Sequence, residues 1–170
     1  ALEFADAQAK LIELLGKAQV DQLAAKKWSE CVEALSSITD TVGKMDGAAV
    51  TSLADPLFYT LAKTPKFGPN NFNVCKAVYV LCAAVATAMP HFPRRLVALP
   101  MKDLLSKMGD RKIVTQLGAC LDAFAECVGP TFVFSLIAKH TAKLTNVKAL
   151  EAVIGWVSAC VSEFGIRAMD

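Results

Sequence analysis

Histidine, tyrosine and tryptophan are scarce in this chain, at two residues each among 170. His91 and His140 stand far apart, one in a Pro-rich connection and one near a turn, and no H-x-x-x-H pattern occurs. There is no Gly-rich phosphate loop and no nucleophile beside an orienting base, so no enzyme activity, metal or cofactor is expected. Long apolar runs are missing too. The longest uncharged one, residues 77–89, is too short to cross a hydrocarbon core of about 30 Å as a helix, and no membrane span is expected. The opening ALEFADAQAK carries acids in place of a basic segment followed by an apolar one. No signal peptide is expected there, which leaves the cytoplasm as the default location.

The six cysteines (Cys31, Cys75, Cys82, Cys120, Cys127, Cys160) are more numerous, but none forms a C-x-x-C pair or a Cys/His cluster with metal spacing. All lie inside apolar helical patterns, as small buried hydrophobes in a reducing compartment would.

What is present is an Ala- and Leu-rich chain with 54% hydrophobic and 20% charged residues, enough for a sizeable core and biased to helix. Its nine glycines and seven prolines cluster, cutting it into eight helical segments near 4–16, 28–43, 47–62, 72–89, 95–108, 111–128, 130–143 and 146–164. A short helix or turn near 20–25 extends the first. The even-numbered segments resemble one another and begin at 28, 72, 111 and 146, near the roughly 40 to 47 residue period of HEAT-type helix pairs. The expectation is all-α: an α-solenoid of about four antiparallel pairs, read as one domain over residues 1–170.

Such a stack collects the turns inside each pair along one edge. Those turns with their flanks, 24–30, 63–76, 107–112 and 139–148, hold eleven of the eighteen basic residues. They hold only two of the sixteen acids, Glu30 and Asp110, so the edge is +9 and the remainder −7. A basic stripe implies a partner with a negative surface. Trp28, directly after Lys26 and Lys27 at a helix start, fits an exposed binding anchor, since aromatics give contact area at small entropic cost. The alternatives are a solvated rim of lysines and an indole folded back as a lid. Trp156, mid-helix between Ile154 and Val157, reads as core.

QLAAKKWSECVEALSSI, NFNVCKAVYVLCAAVATAM and GDRKIVTQLGACLDAFAECV resemble a TOG domain of the ch-TOG/Mini spindles microtubule polymerase family, in particular its TOG2-like members. The resemblance implies a HEAT-repeat paddle whose intra-repeat turns bind a curved αβ-tubulin dimer. It implies a tubulin-binding set of Trp28, Lys26 and Lys27 in the first turn, Asn73, Val74 and Lys76 in the second, Arg111 and Lys112 in the third, and Lys143, Asn146 and Lys148 in the fourth. It also implies location at microtubules, spindle and centrosome, and further TOG domains in the same protein. Two departures stand out. Ser29, Glu30 and Cys31 follow the tryptophan where the family carries more basic residues, and four pairs stand where the family has six. A generic HEAT scaffold would use the same edge for another protein. A nucleic acid is disfavoured, because Arg111 is the only arginine on it.

Overall fold

The computed structural model describes residues 3–165, and the regular elements among them are all α-helices. The chain divides into two compact units, the first ending at Pro90 and the second beginning at His91.

The first unit contains α1 (Phe4–Leu15), α2 (Lys17–Gln22), α3 (Trp28–Val42), α4 (Gly47–Leu61) and α5 (Phe72–Ala88). Gly16 alone separates α1 from α2. Its φ of +88° suits a residue without a Cβ, and its N–H donates to the Ile12 carbonyl to close α1. α3 buries Cys31, Ala34, Leu35, Ile38 and Val42, the stripe of a helix laid on a core. Asp46 starts α4 by accepting the Ala49 N–H at 2.8 Å. Asn71 starts α5 by accepting the N–H groups of Asn73 and Val74 at 2.9 and 3.3 Å. α1 lies against α4 and α3 against α5, so the first helices of the two pairs share one layer and the second helices another. Pro56 sits inside α4, where a proline costs about 3 kcal/mol. Complete burial of Leu53, Leu57, Phe58 and Leu61 on the same helix, at about 1.5–3 kcal/mol each, offsets it.

The second unit contains α6 (Arg94–Lys107), α7 (Val114–Val128), α8 (Pro130–Thr141) and α9 (Val147–Phe164). α6 and α7 both pack on α8, and α9 touches all three. Gly129, at φ +88°, is the whole link between α7 and α8, and Pro130 with its preset φ opens α8. Phe92 stacks on Phe124 with ring centroids 5.9 Å apart. The Arg94 guanidinium lies 5.0 Å over the Phe132 ring.

The all-α expectation is borne out, with most helix ends within two residues of the sequence boundaries. Two segments differ. The short helix expected at 20–25 lies at Lys17–Gln22, because it starts directly after Gly16 and ends where Leu23 turns into the core. α7 begins at Val114 instead of 111, because Asp110 organises a turn first: its carboxylate accepts the Lys112 N–H at 2.9 Å and its carbonyl the N–H groups of Ile113 and Val114. Arg111 and Lys112 therefore stand on a turn and not in a helix. Five cysteines are buried and Cys127 half-buried, all as free thiols. Burial pushes the Cys31 and Cys82 thiols up, as it does Cys127 beside Glu126, so none of these is an activated nucleophile.

Trp156 corrects the core reading. It is half-buried, its Nε1–H donates to the Asp122 carboxylate at 2.7 Å, and its ring meets Phe134 edge-on at 6.0 Å. Its neighbour Ile154 is 66% exposed, so this stretch of α9 lies at the surface of its unit.

Candidate functional site

The turn between α2 and α3 is wound by three successive bonds, from the N–H groups of Leu23, Ala24 and Ala25 to the carbonyls of Val20, Asp21 and Gln22. Leu23 is buried, and the Cys31 thiol donates to its carbonyl at 3.4 Å, which ties the start of α3 to the turn. Lys27 occupies the N-cap with extended backbone and supplies no capping side chain. A good cap there would be worth about 0.5–2 kcal/mol, and a cation at a helix N-terminus opposes the dipole. Glu30 compensates in part, with its carboxylate 3.7 Å from the Lys27 ammonium. Local stability has been set aside at the position where Trp28 is presented.

Trp28 is 48% exposed. It forms a wall shared by two hollows. One, of about 480 Å³, runs between α3 and α5 and is lined by Trp28, Val32, Asp40, Asn73, Lys76 and Val80 among others. The other, of about 360 Å³, is bounded by Lys26, Trp28 and Cys31 on one turn and by Lys63, Pro65 and Val74 on the next. The two turns of this unit are therefore neighbours, as stacking of pairs requires. The indole is neither sealed in the core nor free of support. Val74, expected as a contact residue, is only 5% exposed and forms floor beneath the indole. Asn73 is half-buried and Lys76 exposed beside it.

The second unit also brings its turns together. A Cβ on Gly109 would lie 2.9 Å from the Ala149 backbone nitrogen, so only glycine lets the α6–α7 turn approach the start of α9 this closely. Arg111 and Lys148 line a hollow of about 270 Å³ there, together with Glu151. Lys143 and Asn146 border another, of about 380 Å³, with Lys102 and His140. The Asn146 side-chain oxygen Oδ1 caps α9, accepting from the Lys148 and Ala149 N–H groups at 3.1 and 3.3 Å. Lys112 is exposed on the same turn as Arg111.

Sequence reasoning missed Val32, Val80, Asp40, Lys102 and Glu151 at these hollows. Val80 stands 41% exposed, one helical turn beyond Lys76, inside a run whose apolar character pointed to the core. Glu151 lies one helical turn beyond Asn146, just outside the stretch read as a turn.

No family model matches the chain. In sequence it is 29% identical over 157 residues to Protein MOR1 of Oryza sativa subsp. japonica and 25% identical over 160 residues to Protein MOR1 of Arabidopsis thaliana. Those alignments cover 92% and 94% of this chain but 8% of each relative, so the chain spans a small part of the curated proteins it matches. In structure it matches Drosophila melanogaster Mini spindles TOG3 with a TM-score of 0.77 at 20% identity, over 93% of this chain and 66% of that one. The expected fold class of HEAT-like helix pairs is borne out by that likeness.

Proposed function

We propose that the chain is a TOG-type domain of the ch-TOG/Mini spindles kind, a reading supported by its likeness to Mini spindles TOG3 and to Protein MOR1, and that it binds a curved αβ-tubulin dimer through its intra-pair turns. The observation that carries the reading is Trp28. A half-exposed indole stands at a turn edge between two hollows, with Lys26 and Lys27 before it and Asn73 and Lys76 across from it. Such an anchor supplies apolar contact area already held in place, so little ordering entropy opposes association. Val74 acts as its support. In the second unit Arg111, Lys112, Lys143, Asn146 and Lys148 supply positive charge that would steer an acidic partner. Glu30 holds Lys27 in an ion pair and so removes part of the charge expected beside the indole.

Residues 1–170 act as one TOG-like domain in this reading. Its setting is a longer microtubule-associated protein whose other TOG domains raise the effective concentration of tubulin near a growing end, on microtubules, spindle and centrosome. The role is binding, without enzymatic chemistry. Asp40 and Glu151 line the same hollows as Lys76 and Arg111, which disfavours a nucleic acid there.

The test is size-exclusion chromatography of the chain with αβ-tubulin at low salt. The wild type should co-elute, Trp28→Ala should not, and the variant's circular dichroism should be unchanged. Equal co-elution of both proteins would remove Trp28 as the anchor, and failure of both would favour the scaffold reading with another partner.

A further inference from the structure

The hollow between α3 and α5 does not stop at the turn edge. On α3 it is lined by Trp28, Val32, Ser36 and Asp40, each four residues after the last, so it follows one stripe of that helix for about three turns, or about 18 Å. On α5 the facing stripe passes from Lys76 through Ala77 to Val80. It is therefore a groove, and only its mouth belongs to the edge read as the tubulin contact. Its middle is apolar. Val32 is half-buried and Val80 41% exposed, Ser36 and Ala77 are small enough to leave room, and the Thr39 hydroxyl already donates to the Leu35 carbonyl at 2.8 Å. Its ends carry opposite charge. Lys76 stands toward the Trp28 end and Asp40 at the other, and neither forms an ion pair among the described residues.

We propose that this groove docks an amphipathic helix of about three turns from a partner protein, its apolar side chains at i, i+4 and i+7 lying between Val32 and Val80, with an acid toward Lys76 and a base toward Asp40. The described elements are all helices and offer no sheet edge to which a strand could add, and a proline-rich segment needs several aromatic walls where this groove has Trp28 alone. A third helix suits two that lie side by side, because its ridge of side chains drops into the furrow between theirs. The volume of about 480 Å³ falls within the range of about 300–1,000 Å³ over which ligand pockets work. Opposite charges at the two ends set the direction of the occupant, since reversing it would bring like charges together. The docking does not rest on the tubulin reading: Val32, Ser36, Asp40, Ala77 and Val80 lie outside the residues assigned to that contact, and the occupant is an apolar stripe with paired ends.

A phage-displayed library of helices of about twelve residues, randomised along one face of an alanine and glutamine frame, is selected on the whole 170-residue chain, and the most enriched peptide is measured by fluorescence anisotropy. Apolar residues at i, i+4 and i+7 are expected, with a base at one end and an acid at the other. Val80→Glu and, independently, Ser36→Arg should weaken binding about tenfold or more with circular dichroism unchanged. Gln22→Glu, which adds the same charge on α2, should leave it within about twofold. Asp40→Asn should weaken it about threefold, and not at all once the base of the peptide is replaced by glutamine. Selection without a helical pattern, or equal weakening by Gln22→Glu and Val80→Glu, would overturn the proposal, and indifference to Asp40→Asn would overturn the assigned partner chemistry. Self-association of the chain at rising concentration, abolished by Val80→Glu, would give the groove to a second copy instead. Loss of tubulin co-elution together with peptide binding in Val80→Glu would make the groove part of that contact and overturn it as a separate site. Failure of tubulin co-elution with peptide binding intact would strike only the tubulin reading.

Discussion

α5 and α9 are similar in length and read alike, FNVCKAVYVLCAAVATA beside VKALEAVIGWVSACVSEF, yet they end in different surroundings. α5 lies between α3 and α4 and buries Val74, Cys75, Val78, Tyr79, Leu81, Cys82, Val85 and Ala86. α9 is buried at Ala149, Val153 and Cys160, while Val147 and Ile154 remain 64% and 66% exposed. Apolar periodicity marks the side of a helix that seeks cover. How much it finds depends on how closely its neighbours approach: α5 packs along α3 over much of its length, whereas α9 meets α6, α7 and α8 only sparsely. The two units follow suit at their turns: the first presents an aromatic anchor over apolar hollows, the second a set of cations.

The sharpest way to break the comparison is a matched pair of truncations. Leu81→Ala in α5 should cost about 2–5 kcal/mol and Ile154→Ala in α9 less than about 0.5 kcal/mol, measured by chemical denaturation. Similar losses would mean that the exposed flank of α9 is covered in solution. Next in size, Trp28→Ala should reduce tubulin affinity by about 2 kcal/mol or more. Arg111→Glu with Lys112→Glu should act mainly on the association rate and fade as salt rises past about 0.15 M, where screening reaches about 8 Å. Stopped-flow binding at two salt concentrations separates the two. Equal salt sensitivity would erase the distinction between an apolar and an ionic half.

Gly109→Ala should destabilise by about 1–3 kcal/mol, because its methyl group would meet the backbone at Ala149 and not a flexible side-chain end. Thermal unfolding reads the loss, and an unchanged midpoint would show that the two turns are not pressed together. The smallest effect is expected for Trp156→Phe, about 0.5–1.5 kcal/mol for the bond to Asp122, with the edge contact to Phe134 kept. A cost of several kcal/mol, seen in the same denaturation assay, would restore that residue to the core.

Much of the fold was legible because its signals are local. The apolar stripe of α3, the caps Asp46 and Asn71, and the single-residue breaks at Gly16 and Gly129 each act within a few residues of chain. Part of the site was legible for the same reason. Lys26, Lys27 and Trp28 are consecutive, and a helix start leaves such residues at an edge. Val74 entered the expected set through the resemblance alone; that it is nearly buried was not legible, because one face of α5's first turn points into the unit. Trp156 was misjudged because an apolar neighbourhood in sequence does not say whether a second helix lies over it.

From its order of residues alone the chain determined where its helices start and stop, since capping, glycine φ and apolar period are short-range physics. It also determined which turns carry its positive charge. Only the tertiary structure decided that Trp28 stands between two hollows, that Asp40 and Glu151 dilute the basic turns, and that Lys102 joins His140 at another hollow. Those outcomes depend on how closely helices distant in sequence approach one another, and side-chain packing across a core fixes that distance.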